Sequence, residues 1–157
     1  MSIEGRNNIH RQWLLLNKLP LGSWIFSFFV NRYIPYTGSM SARVLELNPG
    51  YARVLLRDRR KVRNHLRSIH AIALANLAEF TGNLALVCGL PEDARFIVKN
   101  ISVDYQKKAR GTLIGECQTE IVTITETRDI TVRVDIRDRD GDTVAVGTLL
   151  TRIGPKK

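Results

Sequence analysis

Over residues 8–33 apolar side chains recur at mixed spacing: Ile9, Trp13, Leu14 and Leu16, then Trp24, Ile25, Phe28 and Phe29, with Leu19-Pro20-Leu21-Gly22 between the groups. The pattern predicts two short helices separated by Pro and Gly. Such helices either cap a core or serve as a lid, a tunnel wall or a membrane-surface element. Ile34-Pro35-Tyr36-Thr37-Gly38 ends the pattern, and Ser41–Leu47 and Tyr51–Arg57 read as strands reversed at Asn48-Pro49-Gly50. From Ser68 to Val87 the composition turns to Ala, Leu and Asn at helical spacing, with no Pro or Gly before Gly82. This stretch predicts one long helix, apolar nearly all round and therefore buried. Past Gly89-Leu90-Pro91-Glu92-Asp93 four strands are predicted, over Arg95–Tyr105, Thr112–Thr125, Ile130–Arg137 and Thr143–Ile153. The third alternates, Ile130, Val132, Val134 and Ile136 against Thr131, Arg133, Asp135 and Arg137. Asp140-Gly141 marks a hairpin.

Hairpin-length connections make the sheet antiparallel, and a buried helix needs that sheet wrapped around it, so the expected class is α+β. At 157 residues with 44% apolar content the chain suits one globular core without disulfides or a structural metal. Residues 1–38 are expected to form an N-terminal helical extension and residues 39–157 the main domain. Cys88 and Cys117 have no second Cys or His at metal-ligand spacing, which argues against zinc and fits a reducing compartment. No run approaches the ~20 apolar residues of a membrane span; the nearest is Trp24–Val30, which is short. The expectation is a cytoplasmic protein with no transmembrane segment, in which peripheral membrane contact remains open.

Charge sharpens the picture. The net charge is +9. Residues 1–67 hold 12 Lys+Arg against 3 acids, whereas residues 68–157 hold 12 of each. Much of the excess is Arg57, Arg59, Arg60, Lys61, Arg63 and Arg67, broken only by Asp58. It implies an anionic partner. The cluster has no interleaved aromatic residues and the chain no helix-turn-helix or zinc module, which argues against nucleic acid.

Asn76, Glu79 and Asn83 fall at i, i+3 and i+7 of the long helix and share one face. A lone buried carboxylate is expensive, so Glu79 either lines something wet, a pocket or an interface, or sits at the helix surface or in a salt bridge. Upstream, Arg63-Asn64-His65-Leu66-Arg67-Ser68-Ile69-His70 enters the helix with Ser68 as the expected N-cap, leaving the amides of Ile69, His70 and Ala71 as open donors. Such amides can hold a developing oxyanion. His70 alone reads as a packed or capping residue or as part of a site.

The spacing Asn64-x5-His70-x8-Glu79, at the junction of a strand and a long buried helix with four strands to follow, resembles the hotdog-fold acyl-CoA thioesterases, in particular their phenylacetyl-CoA and 4-hydroxybenzoyl-CoA branch. Ile101-Ser-Val-Asp-Tyr105, the basic turn Lys107-Lys108-Ala109-Arg110-Gly111 and the Asp138–Val146 hairpin follow in the order of that family. The chain departs from it in having His70-Ala71-Ile72 where His-Gly-Gly is common and Arg67 where a small residue is usual. The resemblance implies a hotdog fold and hydrolysis of an acyl-CoA or related acyl thioester, without a cofactor or metal. It gives Glu79 the role of nucleophile or general base, the Ala71 amide that of polarising the carbonyl, Asn64 that of orienting water or carboxylate, and His70 a supporting position. It places Lys107, Lys108 and Arg110 toward CoA phosphates, in a site formed between two subunits of a homodimer or of a dimer of dimers (homotetramer). The competing expectation is a non-catalytic hotdog module that binds an acyl chain or acyl-CoA.

Overall fold

The computed structural model describes residues 7–156; residues 1–6 of the expected N-terminal extension, and Lys157, lie outside the described residues. Helix α1 (Asn8–Leu16) starts at Asn7, whose side chain accepts the His10 amide at 3.1 Å, and helix α2 (Gly22–Tyr33) follows the Pro-Gly break. The Asn7 Nδ2 group also donates to the carbonyls of Val87 and Leu90, so the start of α1 caps the far end of the long helix. A one-turn helix α3 (Pro35–Gly38) leads into the sheet. Trp13 and Phe26 pack edge to face with ring centroids 5.1 Å apart and join the same buried cluster as the sheet.

Strands β1 (Arg43–Asn48), β2 (Tyr51–Leu56), β3 (Ala94–Tyr105), β4 (Leu113–Gln118), β5 (Arg128–Arg137) and β6 (Thr143–Pro155) form one antiparallel sheet in the order β1-β2-β4-β5-β6-β3. The alternation in β5 is realised: Ile130, Val132, Val134 and Ile136 point inward. The second of the four predicted C-terminal strands is shorter than expected. It stops at Gln118 because its partner β2 begins at Tyr51, opposite that residue, and the chain then turns away.

Helix α4 (Ala71–Gly89) lies inside the curl of the sheet and contacts all six strands. Close approach is possible because small residues face it. A Cβ on Gly147 would stand 2.4 Å from the Ala78 Cβ. By length and composition α4 could cross a membrane, with a mean hydropathy of 1.5, which corrects the expectation that no run comes near a span. Its apolarity has another use here: Leu77, Ala78, Ala85 and Cys88 are fully enclosed by the sheet.

Candidate active site

The start of α4 is built differently from the expectation. The N-cap is His70, not Ser68: Nδ1 of His70 accepts the Ile72 amide at 3.1 Å. Ser68 is drawn elsewhere, its amide and hydroxyl both donating to Oδ1 of Asn64, at 3.2 and 3.1 Å. The amide of Ile69 donates to Ala109 O and that of His70 to Val62 O, each at 2.8 Å, so neither is an open donor. The amides of Ala71 and Ala73 keep no partner among the described residues. Tyr105, at the end of β3, donates its hydroxyl to the Ala71 carbonyl at 3.1 Å.

Asn64 is chiefly a loop organiser. Its Oδ1 accepts Leu66 N–H at 2.9 Å in addition to the two Ser68 bonds, so only Nδ2 remains to reach a ligand. Within this loop Arg67 has φ of 57°, in the left-handed region that favours glycine, which explains why a small residue suits the position.

A cleft of about 210 Å³ opens beside the helix start, lined by Tyr36, Ser39, Met40, Lys61, Val62, Arg63, His70, Ile72, Ala73 and Asn76. It brings His70 together with part of the basic cluster; Glu79, Asn64 and Ala71 do not line it. Asn76 is 8% exposed, and its Oδ1 has no hydrogen-bond partner among the described residues. Helical spacing puts Asn76 on the Glu79 face without assigning it a role, and nothing in the sequence signals Tyr36 or Met40 as lining residues.

Glu79 sits one turn further along α4, half-buried, with no hydrogen bond or ion pair among the described residues. Of the three cations expected near CoA, Lys107 is engaged by Asp138 and Asp142 at 2.7 and 2.6 Å, and hydrogen bonds to both carboxylates raise the pKa of its ammonium. Lys108 and Arg110 are exposed and unpaired among the described residues, and they flank Ala109, whose carbonyl holds Ile69. Asp58 ties the two basic segments together by binding Arg63 at 2.5 Å and the Gly111 amide at 2.9 Å. The Arg63 contact, with the Gly111 amide, holds the Asp58 carboxyl below its usual range.

The fold has relatives among solved structures. A genomics target, APC5556, is 25% identical over 94% of this chain and 98% of its own, with a TM-score of 0.81. A Pseudomonas aeruginosa protein of unknown function, named a probable thioesterase, is 21% identical over 87% of this chain and 97% of its own, with a TM-score of 0.75. A Haemophilus influenzae thioesterase is 14% identical over 80% of this chain and 88% of its own, with a TM-score of 0.66. Among curated proteins none matches the chain. The family model described as a domain of unknown function, DUF4442, matches residues 22–153, and the chain belongs to that family.

Proposed function

We propose that this protein hydrolyses an acyl thioester, with acyl-CoA as the substrate class. The observation that carries the reading is a pair on α4: the unpartnered, half-buried carboxylate of Glu79 and the unpartnered amide of Ala71 at the helix N-terminus. As general base, Glu79 takes a proton from water while the water oxygen attacks the thioester carbon. The oxyanion is held by the Ala71 amide, aided by the helix dipole; the C–S bond then breaks, and the thiolate leaves with the proton returned by Glu79. As nucleophile, Glu79 instead attacks the thioester carbon, the C–S bond breaks with loss of the thiolate, and water then opens the resulting acyl anhydride to acid and free carboxylate. Asn64 Nδ2 is available to orient the water or the carboxylate, and His70 shapes the helix start. The fold relatives named as thioesterases support the reading.

Ala71 and Glu79 are eight residues apart, so their separation along the axis is about 12 Å. One carbonyl cannot meet both groups of a single chain. The proposed site is therefore shared, Ala71 of one copy facing Glu79 of a second. The edge strand β3 supports a homodimer: among the described residues it pairs with β6 alone, and it exposes Phe96, Ile97 and Ile101. A long apolar edge is a template for pairing. Lys108 and Arg110, with Lys61 in the cleft, are the cations proposed for CoA phosphates.

Turnover of an acyl-CoA panel tests the assignment. Glu79→Gln should lose at least about a hundredfold in kcat, the usual scale of a lost general base, with melting temperature unchanged. Unchanged turnover in a folded Glu79→Ala variant overturns it. Mixing Glu79→Gln chains with chains blocked at position 71 by Ala71→Pro, which lacks the amide, should restore part of the activity if the site is shared. A second reading, acyl-CoA binding without hydrolysis, is favoured by Ile72, whose exposed side chain lines the cleft where the thioesterase pattern has glycine. Tight binding with no turnover selects it.

A further inference from the structure

Helix α2 buries Phe26 and Val30 in the core, yet most of its aromatic side chains stay outside. Its inward face presents Ser23, Ser27 and Asn31 to β1: the Ser23 hydroxyl donates to Val44 O at 2.5 Å, Ser27 Oγ accepts Val44 N–H at 2.9 Å, and Asn31 Nδ2 donates to Ala42 O at 2.8 Å. The outward face carries Trp24, Phe28, Phe29 and Tyr33, the last three 66%, 61% and 87% exposed. Soluble surfaces rarely leave such a stripe uncovered without an occupant. No Asp or Glu occurs between Asn7 and Leu45. Lys18 and Arg32 are exposed and unpaired among the described residues, and the guanidinium groups of Arg43 and Arg57 lie 4.4 and 4.7 Å from the Trp24 ring centre.

From this juxtaposition of an aromatic stripe, carried on a segment without Asp or Glu, with basic neighbours, the nearby Glu46 and Asp58 being paired with Arg53 and Arg63, we propose that α2 docks this protein on an anionic lipid bilayer. Aromatic side chains enter the headgroup boundary while Lys and Arg remain at the phosphate level. Charge complementarity selects this occupant over a second copy, because two such faces would bring like charges together. Location agrees: α2 covers β1, whereas the exposed apolar edge is β3 at the other end of the sheet, so pairing along β3 leaves the stripe free. The proposal does not rest on the hydrolase reading, and its test uses no activity.

The full chain is sedimented with vesicles of phosphatidylcholine alone and of equal parts phosphatidylcholine and phosphatidylglycerol. Binding should be at least about tenfold stronger on the anionic vesicles and weaken with added salt. The double variant Phe28→Asp/Phe29→Asp and the double variant Lys18→Glu/Arg32→Glu should each lose about tenfold or more, on the scale of one buried aromatic side chain or two surface charges. Circular dichroism and melting should show both variants folded, since the altered side chains are exposed. Absent binding, equal binding to neutral vesicles, or variants that bind like the parent overturn the proposal. So does a vesicle-free oligomer that Phe28→Asp/Phe29→Asp dissociates, which would assign the stripe to a second copy.

Discussion

The imidazole of His70 caps α4 by accepting the Ile72 amide, and the adjacent Ala71 amide is left without a partner. Of the alternatives the sequence left for His70, the structure realises the capping one. Replacing an N-cap by alanine costs about 0.5–2 kcal/mol, and asparagine can make the same bond. His70→Ala should lower stability by that amount in chemical denaturation, and His70→Asn should restore it. If His70→Asn also retains full kcat, the residue positions the helix start and takes no part in proton transfer.

Asn76 is enclosed beside the cleft with an unsatisfied carbonyl oxygen. An unmet buried polar group costs about 1–3 kcal/mol, so a side chain without one should be tolerated or preferred by the fold. Asn76→Leu is expected to leave the denaturation midpoint unchanged or raised while weakening substrate turnover by about tenfold, a trade of stability against function. Parallel unfolding and kinetic measurements on one preparation check both halves.

Gly147 of β6 faces Ala78 of α4 at a separation that leaves no room for a Cβ. Gly147→Ala should destabilise by about 1–3 kcal/mol through overpacking. Ala78→Gly in the same chain should recover part of that loss despite its own helix penalty of about 1 kcal/mol. A double-mutant cycle by urea unfolding reads the coupling directly.

Burial pushes the thiols of Cys88 and Cys117 up to about 12. In an unfolded chain a thiol titrates near about 8.5. The folded state therefore binds more protons between these values, and the stability the thiols contribute is complete below the lower value and lost as pH rises toward the upper one. Denaturation midpoints should fall from pH ~9 upward, and less steeply in Cys88→Ala. Native protein should react with a thiol reagent only at the rate of unfolding.

The opposite sign holds for Asp58, whose carboxyl is held down by Arg63 and the Gly111 amide. Its contribution is present above the ordinary carboxylate value of about 3.9 and is lost as pH falls through the lower folded value. Asp58→Asn should flatten the acid limb of the stability profile. It should also loosen the hold between the Arg57–Arg63 segment and the Lys107–Gly111 turn, read as faster amide exchange at Gly111.

Periodicity and turn residues carried the succession of elements along the chain, the two short helices, the buried character of α4 and the inward set Ile130, Val132, Val134 and Ile136 of β5, because these depend on local chain chemistry and on contacts that repeat every two or three to four residues; the order of the strands within the sheet depends on long-range pairing and was not legible. Asn76, Glu79 and Asn83 were likewise legible as polar residues sharing a helix face. The helix start was not. Ser68 is a sound N-cap by local rules, but Asn64 captures its hydroxyl while Ala109 and Val62, distant in the chain, take the amides of Ile69 and His70. The pairing of Lys107 with Asp138 and Asp142 depends in the same way on a remote hairpin.

Helix α2 shows the division most sharply. The apolar spacing determined that a helix forms there, and it left open whether Trp24, Ile25, Phe28 and Phe29 cap the core or belong to a lid, a tunnel wall or a membrane-surface element. Tertiary structure decided it: Phe26 and Val30 enter the core, while the backbone at Ala42, just before β1, and at Val44 of that outermost strand has no further strand beside it among the described residues, and Ser23, Ser27 and Asn31 supply the missing hydrogen bonds. That demand arises only once the sheet exists, and it leaves the aromatic face pointing outward.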